Sequence, residues 1–206
     1  MQKITPILAD LKIMTGDFPQ ATGHYSKTFN ELGGMYENER EFQKMLPKWG
    51  NRVVYEVWEH RSSKNKGDLV FGTSVMKPGR VGDEFFLTRG HQHQKAYCAE
   101  TYFCLRGKGV ILMESPEGEI KALKLDKGQL VYVPPFWFHR SVNIGDSELI
   151  TLFTYNSDAG QNYEILKKRR GMRKRVVQKN KNSWTLVTNK QYRSSLYVKE
   201  PTDLSC

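Results

Sequence analysis

From residue 52 to residue 156 the chain alternates short β-forming runs with turn signals, and that alternation narrows what it can fold into. The runs are VVYEVWEH (53–60), LVFGTSVM (69–76), EFFLT (84–88), ETYFCLRG (100–107), GVILME (109–114), EIKALKL (119–125), QLVYVP (129–134), HRSVNI (139–144) and ELITLFTY (148–155). Between most of them lies a Lys-Gly-Asp, Pro-Gly, Gly-Lys-Gly, Pro-Glu-Gly, Asp-Lys-Gly or Gly-Asp turn. β-Branched and aromatic side chains suit a pleated, half-buried surface, and glycine-bearing turns reverse the chain. Many short strands at close spacing predict an all-β sandwich or barrel. No internal repeat is evident.

The flanks read differently. Residues 1–36 have no clear period and carry Gly16, Pro19, Gly23, Gly33 and Gly34, which predicts an irregular arm with short strands. Asn38 to Leu46 predicts one short helix. Asn38 is its N-cap, acids fill the first turn, and Phe42, Met45 and Leu46 form one apolar stripe. Pro47 is expected to stop it. After residue 160 a short helical or irregular stretch precedes a hairpin, RVVQ against WTLVT, and the last dozen residues, ending PTDLSC, read as disordered. The expected division is an arm and helix over 1–50, a barrel over 51–165 and a basic extension over 166–206.

The formal net charge is +10, and it is uneven. Residues 167–181 hold nine of the 32 lysines and arginines and no acid, leaving 23 against 22 elsewhere. Such a tract can recruit phosphate-rich partners. No aromatic residue interleaves it to stack on bases, so nucleic acid is not an expected partner. The expected role is a solvated turn and strand edge, where lysines discourage edge pairing. No run of apolar residues is long enough to span a membrane, so no membrane association is expected. The first residues carry Asp10 and Lys12 and lack the apolar core of a secretion signal, which predicts a cytoplasmic protein. Cys98, Cys104 and Cys206 match no zinc motif and exclude a disulfide framework as the basis of the fold.

Chemistry concentrates in four residues. His91 and His93 are spaced i, i+2, which on a strand puts both rings on one face. Glu100 opens the next strand, and His139 follows a third. Three imidazoles and one carboxylate converging inside a barrel suit Fe(II), Mn(II), Ni(II) or Zn(II) and leave positions open for water or substrate. A lone His-x-His is weak evidence, since histidines are common on strand surfaces. The frame around it adds weight: six residues separate Glu100 from Gly107, and Gly128, Pro134, His139 and Asn143 follow in order. Glu100 and Tyr102 also share a strand face.

That frame, GHQHQKAYCAETYFCLRG and GQLVYVPPFWFHRSVN, resembles the two motifs of the cupin superfamily. Six residues separate His93 from Glu100, more than in most cupins. This spacing, with VVYEVWEH, KPGRVGDEFFLTRGHQHQKAYCAETYFCLRGKGVILME, VYVPPFWFHRSVNIGD and YNSDAGQNY, resembles the cupin-type glucose-6-phosphate isomerases of archaea and some bacteria. The likeness covers about residues 30–165 and is most specific in 76–145. It implies a cupin (double-stranded β-helix, jelly-roll) barrel with a short N-terminal helix and arm. It implies one divalent metal ion per subunit, Fe(II) by preference with Mn(II), Ni(II) or Zn(II) as alternatives, held by His91, His93, Glu100 and His139. It implies a sugar phosphate gripped by hydroxyls and backbone at Tyr55, Thr88, Gly90 and Tyr155, with Ser74 where the family has threonine. Tyr102 and Tyr163 match tyrosines of the substrate pocket. Gln161 stands where a well-known member has histidine; glutamine hydrogen-bonds but does not titrate. Phe136 replaces the usual cupin glycine. The resemblance also implies a homodimer.

The expected activity is interconversion of glucose 6-phosphate and fructose 6-phosphate, a glycolytic and gluconeogenic step, through a metal-stabilised enediol. Glu100 and Tyr102 are the catalytic candidates, with Glu100 as the base. A metal-assisted hydride shift is the competing route. The rival readings are another sugar-phosphate isomerase or epimerase, a cupin dioxygenase, and a non-catalytic sugar-phosphate-sensing cupin. Cys98 and Cys104 read as core or loop residues, and Trp137 and Phe138 as packing.

Overall fold

The computed structural model describes residues 5–181 and 183–194. Strand β1 (Gly23–Thr28) precedes helix α1 (Glu39–Trp49), and then come β2 (Val53–Arg61), β3 (Leu69–Met76), β4 (Arg80–Val81) and β5 (Glu84–Phe85). Next are β6 (Glu100–Arg106), β7 (Lys108–Glu114), β8 (Ile120–Asp126), β9 (Leu130–Val133), β10 (Phe138–Asn143) and β11 (Leu149–Asn156). Helix α2 (Glu164–Lys168) and strands β12 (Lys174–Asn180) and β13 (Ser183–Thr188) complete the elements of the described residues. The last dozen residues, with Cys206, lie outside the described residues.

The architecture is all-β. A six-stranded sheet runs β1-β2-β3-β11-β6-β9, a three-stranded sheet β10-β7-β8, and a four-stranded sheet β13-β12-β5-β4. Every strand pairing is antiparallel. Alternating residues of the first two sheets face inward: Tyr55 and Val57 from β2, Val110 and Leu112 from β7, and Val131 and Val133 from β9 are all buried in one core. Outside the six-stranded sheet, Val75, Leu105 and Ile150 form a second cluster with Trp58, Phe103 and Leu152. The N-terminal arm covers part of that face. Gly16 (φ +80°) lies so close that a Cβ there would meet Val75 Cγ2 at 2.2 Å, so only glycine fits.

The strand reading held for most runs, and the differences have local causes. The run at 84–88 is a strand only over Glu84–Phe85; beyond it Leu87 makes an isolated bridge to Val142. Helix α1 does not stop at Pro47 but continues to Trp49. Proline late in a helix forfeits one hydrogen bond without blocking the last turn, and Gly50 N still donates to Leu46 O at 2.8 Å. Asn38 caps the start, its Oδ1 accepting from Glu41 N at 3.1 Å.

Most of the basic tract is solvated as expected, with Lys167, Lys168, Arg170, Arg173, Lys179 and Lys181 exposed, but two of its arginines are not. Arg169 and Arg175 are 2% and 5% exposed. Arg169 pairs with buried Glu114 at 2.5 Å, and Arg175 with buried Glu84 at 2.8 Å. The acids that neutralise the tract come from β7 and β5, far away in sequence. The hairpin expected here is present as β12 and β13.

Candidate metal centre and pocket

His91 and His93 do not sit on a regular strand. They lie on an extended segment between β5 and β6 held by single bridges. His91 N donates to His139 O and His139 N to His91 O, both at 3.0 Å, so the segment is pinned directly to β10. On its other side Asn162 N donates to Gln92 O at 2.8 Å. The i, i+2 spacing still puts both rings on one side. Gly90 (φ +71°) permits the approach: a Cβ there would lie 2.9 Å from Arg140 Cβ, His139 O and Leu166 Cδ1. Its glycine requirement therefore comes from protein packing, not only from a ligand.

The four predicted ligands meet. Glu100 Oε2 is 2.9 Å from His139 Nε2, 3.2 Å from His93 Nε2 and 3.4 Å from His91 Nε2. All four donor atoms lie within 4.8 Å of one another and all four residues are buried. His93 Nδ1 faces the Cys98 carbonyl at 2.9 Å, and His139 Nδ1 faces the Trp137 carbonyl at 3.2 Å. A carbonyl only accepts, so each Nδ1 is the protonated nitrogen and each Nε2 presents a lone pair to Glu100. Acceptor then faces acceptor. Nε2 of His91 and of His93 are buried with no hydrogen-bond partner. A cation between these atoms resolves the conflict, and bonds of about 2.0–2.2 Å to three nitrogens and an oxygen need only small shifts. The residues present fit a divalent metal. Cys98, which flanks Glu100, contributes its carbonyl to this arrangement.

Burial, reinforced by the neighbouring His139, pushes His91 down to about 4, so its ring is neutral at physiological pH. Burial opposes charge at His93 too, but Glu100 beside it and the Cys98 carbonyl outweigh burial and raise it. Burial would raise Glu100; the three imidazoles around it, His139 first, hold its carboxyl well below the usual range. Protons therefore compete with metal first at His93. Metal affinity should be level in mild alkali and weaken as pH falls through the raised range of His93, by about tenfold per unit for one displaced proton. His91 joins only near pH 4. Calorimetric titration with Mn(II) from pH 8 to pH 5 measures this, and a flat profile would refute it.

His91 and Glu100 open onto a cleft. Tyr55, Ser74, Thr88 and Gly90 line it, as do Tyr102, Tyr155, Gln161 and Tyr163, so the residues expected to contact substrate share one cleft. Thr88 Oγ1 accepts from Ser141 N at 3.1 Å, and Tyr163 OH donates to Gln161 Oε1. Tyr155 OH donates to Glu59 Oε2 at 3.2 Å and accepts from Arg61 Nη2 at 3.2 Å. Burial and the Glu100 charge push the Tyr102 hydroxyl well above its ordinary range, so it is a proton donor at neutral pH.

Five further residues face the cleft: Tyr25, Val57, Glu59, Ser141 and Phe153. Four were available from the strand period. Val57 and Glu59 share the Tyr55 face of β2, Ser141 lies two residues after His139, and Phe153 two before Tyr155. Tyr25 belongs to the arm, where no period marks it. Phe136 has a left-handed backbone at φ +72°, a conformation that favours glycine, and its N–H donates to the Ala96 carbonyl at 2.5 Å.

A family model for glucose-6-phosphate isomerase (GPI) matches residues 26–193. The chain belongs to the glucose-6-phosphate isomerase family. The glucose-6-phosphate isomerase of Sinorhizobium medicae (strain WSM419) is 45% identical over 188 residues, covering 91% of this chain and 88% of that one. The glucose-6-phosphate isomerase of Thermococcus litoralis is 42% identical over 154 residues, covering 75% of this chain and 80% of that one. Among solved structures, an oxalate oxidase in complex with a substrate analogue, glycolate, aligns over 55% of this chain and 56% of its own, with 14% identity and a TM-score of 0.46. The cupin barrel of this glucose-6-phosphate isomerase family member is read from its own sheets and from the convergence of its two motifs on one centre.

Proposed function

We infer that this protein interconverts glucose 6-phosphate and fructose 6-phosphate with a divalent metal held by His91, His93, Glu100 and His139. The observation that carries this reading is a buried group of three imidazoles and a carboxylate, two nitrogens of which lack partners, opening on a cleft lined by hydroxyls. A bound divalent cation would supply Lewis-acid polarisation of the sugar oxygens; the donor set suits Fe(II), Mn(II), Ni(II) or Zn(II), and our choice is Fe(II). The chain's own residues do the rest. Glu100 takes the proton from one carbon and returns it to the next. Its basicity rises as imidazole contacts loosen, since burial alone favours its protonated form. Tyr102, protonated and beside Glu100, donates a hydrogen bond to a sugar oxygen. Thr88, Ser74 and Tyr55 receive the phosphate. A hydroxyl-rich wall suits this ester better than the apolar or aromatic substrate of a dioxygenase. The same reading places the protein in the cytoplasm as a homodimer.

Chelation tests it. Protein stripped by EDTA should lose nearly all turnover in a coupled glucose 6-phosphate assay and regain it with Fe(II) or Mn(II). Full activity in metal-depleted protein would remove the metal from the reading; no activity in metal-loaded protein would remove the substrate.

A further inference from the structure

A phosphate monoester approaches a charge of −2 at neutral pH. The residues lining the cleft include Glu59 and Glu100 but no lysine or arginine. Hydroxyls can hydrogen-bond such an anion, but they do not neutralise it.

One guanidinium lies directly behind this wall. Arg89 sits in the chain between Thr88 and Gly90, both of which line the cleft. Its Cζ is 4.1 Å from the centre of the Tyr163 ring. Its Nε is buried without a hydrogen-bond partner. Among the described residues no carboxylate lies within ion-pair distance of it. Its charge acts on the hydroxyls of Tyr55 and Tyr163, opposing the rise that burial imposes on both. Its carbonyl accepts from Arg140 Nη2 at 2.8 Å, which fixes the segment in place. Arg61, on the opposite side, differs. It is committed to Tyr155 OH and the Ser157 carbonyl, and Glu59 at 3.6 Å offsets its charge. Arg89 thus stands against the Tyr163 ring with no carboxylate of the described residues within ion-pair distance to offset its charge.

We propose that Arg89 is the charge-selecting residue of this site, a positioning residue that acts from behind Tyr55 and Tyr163 to favour a phosphorylated sugar over a neutral one. The inference rests on the function proposed above. It adds a cationic element to a phosphate grip otherwise built of hydroxyls and backbone. Long-range attraction is screened by salt, whereas ring packing is not.

The test compares Arg89→Gln and Arg89→Lys with the wild type, all loaded with Mn(II). Arg89→Gln is expected to raise KM for glucose 6-phosphate about tenfold or more, with a much smaller change in kcat. It should also flatten the dependence of KM on ionic strength. Arg89→Lys restores the charge without the planar group, and should bring KM back to within about threefold. A KM unchanged in Arg89→Gln overturns the proposal. Equal losses in both variants, with the wild-type salt dependence retained, would show that the guanidinium only packs on Tyr163, and would overturn it as well. Calorimetric titration with inorganic phosphate keeps the two readings apart. If the wild type fails to turn over glucose 6-phosphate, the proposed function falls, while weaker phosphate binding in Arg89→Gln alone still upholds the role of Arg89.

Discussion

The Glu100→Gln variant is expected to lose at least about a thousandfold in kcat while remaining folded and still binding sugar phosphate. Removing a general base costs on the order of 10²–10⁴ in rate. Glutamine keeps the volume and one oxygen but replaces the titrating carboxylate with an amide. The carboxylate is 3% exposed and surrounded by three imidazole nitrogens at 2.9 to 3.4 Å, so neither water nor a neighbouring acid can take its place. His91, His93 and His139 remain, so the comparison is made at saturating Mn(II), with metal content and circular dichroism recorded for both proteins. Substrate binding is read by calorimetry, because Tyr55, Ser74 and Thr88 are untouched. Turnover within tenfold of wild type would remove Glu100 from the chemistry. In the wild type, solvent deuterium entering C2 of the sugar marks a proton route through this residue. Its absence over many turnovers would favour the hydride shift.

What was readable in the sequence followed from period and spacing. The metal group was legible because its members sit two residues apart or at the starts of short runs, and convergence follows once the runs are strands. The local structure of its first two members was not. His91 and His93 lie in a segment whose ladder contacts, among the described residues, are single bridges to His139 and Asn162, and alternation cannot tell that from a strand. Val57, Glu59, Ser141 and Phe153 were within reach of the two-residue period and needed only extension along each strand from its known member. Tyr25 was beyond reach, because β1 carries no apolar alternation and takes its place by pairing with β2. The basic tract was misread at Arg169 and Arg175, the two buried members, for a related reason. Charge counted along a chain does not show partners: Glu84 lies 91 residues before Arg175, and Glu114 lies 55 before Arg169.

That second pair leads to the largest expected effect on stability. Glu114 is fully buried at the end of β7, where it accepts hydrogen bonds from three groups of the C-terminal segment and makes an ion-pair contact with a fourth. Arg169 Nη2 lies at 2.5 Å, Tyr192 OH at 3.0 Å, Arg173 N at 2.8 Å and Arg173 Nε at 3.4 Å. Arg169 also covers the Phe138 ring at 4.5 Å, one residue from His139, and the same segment sends Leu166 against Gly90. The extension is thus a wall of the metal centre and not an appendage. Glu114→Ala leaves a guanidinium buried and uncompensated, at a cost of about 3–5 kcal/mol. For a chain of this length that lowers Tm by roughly 6–20 °C. Arg169 Nε and Nη1 already lack partners, so the pair is not an optimised one. Replacing both members with apolar residues, Glu114→Leu with Arg169→Met, should therefore recover most of the loss, since the remaining charge and its desolvation go together. Limited trypsin digestion reports the same event locally: Glu114→Ala should open the 167–175 arginines and lysines to cleavage, and the double variant should close them. If Glu114→Ala melts within 2 °C of wild type, Arg169 is reaching water and the segment is anchored by its strands alone.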